Sequence, residues 1–234
     1  MTATAAVTPD LTAPTFAPAR TRATRVTRTA TGSLRLATTP AAHIVGSRIK
    51  RTLDLTGALI GLILTAPLLL AAAIAVRLEG GPGVIYRQER VGLGGATFTL
   101  YKLRSLRPLA HEDHTTWNIA GDTRLGPVGR FIRKTSIDEL PQLWNVLRGD
   151  MTLVGPRPER PHFVDQFSAT IPGYADRHRA LPGLTGLAVV HGLRGDTSIP
   201  LRAHYDNLYI DTWTPTLDIA IIFRTLGRVL VSGS

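Results

Sequence analysis

Three kinds of hydrophobic pattern divide the chain. Residues 1–42 show none: twelve threonines, eleven alanines and four prolines fill the stretch without an apolar period. Such a segment buries too little surface to offset its ordering entropy, so a disordered tail is expected over residues 1–47. Leu53–Val76 is the opposite extreme, 24 residues with one charge, Asp54. A straight helix of that length measures about 36 Å, enough to cross the hydrocarbon of a bilayer. Beyond it the pattern breaks into shorter pieces. Val84–Tyr86 and Ala96–Leu103 read as strands around a Gly92–Leu93–Gly94–Gly95 turn. No helical pattern follows those glycines, so a hairpin is expected there and not a phosphate loop. Ser136 and Glu139 have capping-box spacing ahead of an apolar stripe at Leu140, Leu143, Trp144 and Leu147, and Gly149 is placed to end that helix. Leu217–Leu230 is apolar at most positions and fits either a helix in the membrane interface or one packed on the core.

Pro67 lies inside the long apolar segment. It lacks an N–H and crowds the carbonyl four residues back, so a kink or break is expected at Ala66–Pro67. Both flanks are basic, with Arg48, Lys50 and Arg51 before and Arg77, Arg87 and Arg90 after. Positive charge marks cytoplasmic flanks, and neither end is marked as the outer one. A helix–break–helix that enters and leaves on the cytosolic face satisfies both facts and is favoured over a spanning helix. The expected fold class is α/β, mostly α: a monotopic membrane protein with a re-entrant segment over 48–78, then a cytosolic domain over 79–234 with a small β-hairpin and surrounding amphipathic helices.

Composition narrows the chemistry. The chain has no cysteine, which excludes disulfides, thiolate metal sites and a cysteine nucleophile. The net charge of +10 points to nucleic acid only until it is located. Residues 1–51 hold eight basic residues and one acid, leaving +3 for the other 183 residues. A basic protein that binds membrane or nucleic acid without catalysis is the alternative reading. It needs a basic face in the folded part, so no nucleic acid partner is expected. His111 and His114 have metal-like spacing but no third ligand candidate, and read as surface histidines.

Asp138 and Glu139 fall in the first turn of the expected helix, where free N–H groups already favour acids. The cations nearby add a chemical reason. Arg130, Arg133 and Lys134 stand just before, and Arg157 stands after, in a stiff Pro156–Arg157–Pro158 loop. Adjacent carboxylates can hold Mg²⁺, which keeps waters and recruits substrate phosphates. Guanidinium forks match phosphate oxygens, and an ionised aspartate beside a divalent metal can attack phosphorus.

Lys50–Leu230 resembles the bacterial sugar transferase family, the monotopic phosphoglycosyl transferases that act on polyprenyl phosphate. The resemblance rests on KRTLDL at 50–55, YRQERVG at 86–92, YKLRSL at 101–106 and TSIDELPQLWNVLRGDMTLVGPRP at 135–158, with PGLTGLA at 182–188 and YDNLYI…LDIAIIF within 205–223. It implies transfer of a hexose 1-phosphate from a UDP-sugar to undecaprenyl phosphate, with release of UMP, at the cytoplasmic face of the bacterial inner membrane. Asp138 would be the nucleophile of a covalent phosphosugar intermediate, and Glu139 would place Mg²⁺ and assist proton handling. Lys102, Arg104, Arg133, Arg157 and Arg194 are the implied phosphate-binding cations, and Asp206 and Asp218 the further acidic positions toward the metal. A homodimer is a further expectation. The sequence departs from the family at Ala66, where serine is usual before the breaking proline, and at Leu187 and Val189, where an aromatic and a glutamine are usual. The loop His191–Asp196 looks like that of members transferring glucose 1-phosphate, which implies glucose or galactose as the sugar.

Overall fold

The computed structural model describes residues 26–28, 34–36, 39–107, 123–195 and 197–232. Along the chain the elements are β1 (Val26–Arg28), β2 (Leu34–Leu36), α1 (Ala42–Val45), α2 (Arg48–Gly80), β3 (Ile85–Val91), β4 (Thr97–Leu103), α3 (Pro127–Lys134), α4 (Gln142–Arg148), β5 (Thr152–Val154), α5 (Pro161–Thr170), β6 (Gly183–Thr185), α6 (Leu187–Val190), α7 (Ile199–Thr212) and α8 (Pro215–Ser232). Helices dominate, and the strands form three two-stranded sheets, so the α/β, mostly α expectation stands. β3 and β4 pair antiparallel from Ile85↔Leu103 to Val91↔Thr97, around the predicted glycine turn, where Gly94 has φ 62°. The first strand of that hairpin runs longer than Val84–Tyr86, because its alternation of polar and apolar side chains is masked by charged residues on the exposed face. β5 and β6 pair in parallel, and they approach so closely that a Cβ on Gly183 would lie 2.1 Å from the Gly155 nitrogen.

One expectation changes. The tail boundary at residue 47 moves, because residues 41–45 dock on the body: Ala41 N–H donates to the Arg179 carbonyl at 2.8 Å, Ile44 is buried, and the His43 ring bonds the Ile210 carbonyl at 2.9 Å. Only Ala41 and Ile44 are buried here, too short a signal to register as a period. At Ala66–Pro67, where a kink or break is expected, the helix is not interrupted. α2 is one helix of 33 residues with Pro67 inside it. The proline leaves the Ile63 carbonyl without its N–H partner, while the bonds on either side carry the helix through. His111, His114 and most of the tail lie outside the described residues.

α2 is held along its whole length by one body. In its first half, Gly57 and Gly61 let Leu153 and Leu143 close on the helix, and Ala58 packs with Val146 and Met151. In its second half, Ala72 and Val76 pack with Leu103, Ile132 and Ile137. At the start, Lys50 Nζ meets Asp218 at 2.8 Å and Asp54 accepts from the Thr152 hydroxyl at 2.7 Å and the Leu153 N–H at 2.9 Å. At the end, Glu79 accepts the Val128 and Gly129 N–H groups at 2.9 and 3.2 Å and so caps α3. The opposite face is apolar and bare: Ile60, Ile63, Leu64, Leu70, Ile74 and Leu78 are all more than half exposed. α8 packs on the core, as one of its two readings expects, burying Asp218 and Ile221 while leaving Phe223 and Leu226 exposed.

Candidate active site

Between α3 and α4 the chain makes a single tight turn, Ile137–Glu139, and enters it through Ser136 at φ 58°, ψ 17°. Ser136 is the one non-glycine residue with positive φ among the described residues. Such left-handed strain costs roughly 1–3 kcal/mol and concentrates at working sites. The predicted capping box is not formed. The Ser136 side chain caps nothing, and the regular helix starts only at Gln142, after Pro141. The reason is charge: the Glu139 carboxylate takes two cations instead of one amide. Its Oε1 accepts from Lys102 Nζ at 3.1 Å and from Arg157 Nη2 at 2.7 Å.

The two acids therefore sit in different electrostatic environments. Burial works against the Glu139 carboxylate, yet Arg157 and Lys102 outweigh it and hold this carboxyl well below the usual range. Asp138 is 7% exposed and, among the described residues, has no hydrogen bond or ion pair to its carboxylate. Burial pushes it up to about 6, against the pull of Lys102 and with the help of Glu139 beside it. One acid is clamped and permanently ionised; the other is free and poised to titrate.

The loop that carries Arg157 is fixed by its backbone. Pro156 and Pro158 supply no N–H, and four carbonyls in a row are taken: Pro156 by the Gly183 N–H at 2.8 Å, Arg157 by Arg177 Nη2 at 2.7 Å, Pro158 by Arg90 Nη1 at 3.0 Å and Glu159 by the Val91 N–H at 2.9 Å. Behind it, buried Glu159 pairs with Arg202 at 2.9 Å and Arg90 at 3.4 Å. Asn145 holds the edge of β4, accepting from the Tyr101 N–H at 3.1 Å and donating to the Thr99 carbonyl at 2.7 Å, which keeps Lys102 in register with Glu139.

An acidic pair at a strained turn thus faces a lysine and an arginine on rigid supports, and guanidinium and ammonium groups so placed match phosphate oxygens. The sequence model of bacterial sugar transferases matches residues 45–232. The chain belongs to that family. A Caulobacter vibrioides protein named UDP-glucose:undecaprenyl-phosphate glucose-1-phosphate transferase is 48% identical over 187 residues, covering 78% of this chain and 70% of its own length. An Aeromonas hydrophila UDP-N-acetylgalactosamine-undecaprenyl-phosphate N-acetylgalactosaminephosphotransferase is 43% identical over 184 residues, 78% of this chain and 44% of that one. A Salmonella typhimurium undecaprenyl-phosphate galactose phosphotransferase is 40% identical over 197 residues, with 78% and 40% covered. The chain thus spans less than half the length of the latter two.

Within this sugar transferase the structure brings together Asp138, Glu139, Lys102 and Arg157. Arg133 is exposed in the last turn of α3, where its charge reaches Asp138. Arg194 is exposed on the loop after α6. Arg104 goes elsewhere: its guanidinium donates to the carbonyls of Gly80 and Gly81 at 2.8 and 2.9 Å, and to that of Pro82, so it braces the end of α2. Asp206 and Asp218, the further acidic positions, are engaged in ion pairs away from the acidic pair. Asp206 is ion-paired with buried Arg177, and Asp218 holds Lys50, the Tyr209 hydroxyl at 2.7 Å and Trp213 Nε1 at 3.1 Å. Asp218 thus uses both carboxylate oxygens, whereas Asp206 uses Oδ2 alone.

Among the described residues no cluster of three or more metal-ligating side chains exists. Asp138 and the Glu139 Oε2, which neither cation occupies, form a two-carboxylate set that fits a magnesium ion keeping several waters. The residues that sequence reasoning missed are Arg177, Arg202 and Asn145, which act through backbone or ion-pair contacts. Their types carry no signal at the positions where they stand.

Proposed function

We propose that this chain transfers a hexose 1-phosphate from a UDP-sugar to undecaprenyl phosphate and releases UMP. The observation that carries the reading is the division of labour in the acidic pair: Asp138 buried and unpaired, Glu139 locked between Lys102 and Arg157. The ionised Asp138 oxygen attacks the phosphorus that bears the sugar. A carboxylate–phosphorus bond forms, the bond to the bridging oxygen breaks, and UMP leaves with that electron pair. Lys102 and Arg157 face the charge that gathers on the phosphoryl oxygens, where preorganised donors lower the barrier most. The polyprenyl phosphate oxygen then attacks the same phosphorus, a diphosphate forms and the Asp138 carboxylate is returned. Asp138 and Glu139 would hold a magnesium ion, which would supply neutralisation of the diphosphate's negative charge.

The reading includes a monotopic placement on the cytoplasmic face. Its support is that both ends of α2 are fixed to the same body, Lys50 on Asp218 at one end and Glu79 on α3 at the other. A helix crossing the bilayer would carry those ends to opposite sides. The bare apolar face of α2 then dips into one leaflet.

Purified protein with Mg²⁺ and a UDP-hexose should release UMP in a burst without acceptor and turn over only when undecaprenyl phosphate is added. Asp138→Asn should fold and lose the burst. Turnover by Asp138→Asn at the wild-type rate removes the proposed nucleophile. Testing UDP-glucose, UDP-galactose and their N-acetyl forms in parallel identifies the donor.

A further inference from the structure

Glu159 is a buried carboxylate two residues beyond Arg157, and its two oxygens go to different elements. Oε1 accepts from Arg202 Nη1 of α7 at 2.9 Å, and Oε2 accepts from Arg90 Nη1 of β3 at 3.4 Å. The same Arg90 nitrogen donates to the Pro158 carbonyl, so the backbone beside Arg157 is gripped as well. The Arg202 guanidinium is buried and has a second end. Its Nη2 donates to the Gly195 carbonyl at 2.7 Å and to the Thr197 hydroxyl at 3.2 Å.

Gly195 and Thr197 belong to the loop between α6 and α7, which also carries the exposed Arg194. That loop is fastened to α7 at its other end too. The His191 ring stacks on Tyr205, with centroids 4.3 Å apart and planes at 21°, and its Nδ1 bonds the Leu187 carbonyl at 2.8 Å. One side chain thus joins two loops: Gly195 to Arg202, Arg202 to Glu159, and Glu159 to the backbone beside Arg157. Charge follows the same route. Arg157 is held above its ordinary value by Glu139 first, and Glu159 adds to the pull. Two carboxylates therefore attract one guanidinium, and neutralising Glu159 favours the contact with Glu139.

We propose that Arg202 is a positioning residue, which ties the α6–α7 loop to Arg157 and, by satisfying Glu159, leaves Arg157 to Glu139. A displacement of that loop then reaches the phosphate-binding cation without touching the acidic pair. The proposal rests on the transfer reading above for its rate measurement, and a second measurement is independent of that reading.

The test follows the UMP burst of the full chain in nanodiscs at saturating UDP-hexose, with amide exchange measured on the same samples. Arg202→Gln should slow the burst about tenfold, and adding Glu159→Gln should recover most of the loss, because no carboxylate is then stranded beside Arg157. In an Arg157→Lys background, where the guanidinium is already gone, Arg202→Gln should cost no more than about twofold further. An undiminished tenfold loss in that background overturns the proposal. The Val91 and Gly183 amides donate to the Glu159 and Pro156 carbonyls, so they report on the Arg157 loop whether or not the protein turns over. Gly195 has φ 62°, and Gly195→Val strains the loop while leaving every charge in place. Arg202→Gln and Gly195→Val should both quicken exchange at Val91 and Gly183, while the Leu153 amide, held by Asp54, keeps its wild-type rate. Unchanged exchange at Val91 and Gly183 overturns the proposal, and so does equal quickening of all three amides, which makes Arg202 merely structural. Selective quickening in a protein that releases no UMP from any UDP-hexose leaves the coupling standing and fails the transfer reading instead.

Discussion

Asp138 and Glu139 are neighbours in sequence and opposites in charge state. A carboxyl whose folded value lies above the ordinary one favours folding most when protonated. Asp138 therefore lowers stability as pH rises from about 4 to about 6, and no further above that. Asp138→Asn removes this penalty. Thermal unfolding should show a gain of roughly 1–3 kcal/mol at pH 7 that vanishes near pH 4. With Asp138 as the proposed nucleophile, the UMP burst should rise with pH as its carboxyl ionises and level off above about 6. Asp138 and Glu139 stand out in the sequence by their type and their neighbours. Which of them is free was not legible, because that depends on Lys102 and Arg157, 36 residues upstream and 19 downstream of Asp138.

At the scale of elements, the arginine loop shows how position is transmitted. Arg177 holds the Arg157 carbonyl and is neutralised by Asp206. Removing one partner of a buried pair strands the other charge, so Arg177→Met should cost about 3–5 kcal/mol. The double change Arg177→Met with Asp206→Leu should recover most of that stability and still leave the UMP burst slowed, because the carbonyl has lost its donor. Full recovery of both would make Arg177 merely structural. The hairpin, the long apolar helix and the C-terminal helix were legible from local pattern. The capping box was misread for a physical reason: spacing proposes a local hydrogen bond, and two cations brought in by folding compete for the same carboxylate and win. Pro67 does not interrupt the helix because one missing hydrogen bond is a local deficit, and packing of α2 on α3, α4 and β5 offsets it.

For the whole molecule the question is on which side of the membrane α2 begins and ends. The chain lacks cysteine, so single-cysteine variants report cleanly. Arg48→Cys and Arg77→Cys place thiols at the two exposed ends of α2. Both should react with an impermeant maleimide in inside-out vesicles and neither in right-side-out ones. Opposite labelling of the two ends rejects the monotopic placement. Composition and order already settled the long apolar helix, the hairpin and the family, and singled out the acidic pair, since each is written in a contiguous stretch of residues. Folding alone assigned the remaining charges. It sent Arg104 to the end of α2, Asp206 to Arg177 and Asp218 to Lys50, and it left Asp138 unpaired. A charged side chain's role follows from the partner it finds after burial, and that partner lies far away in sequence.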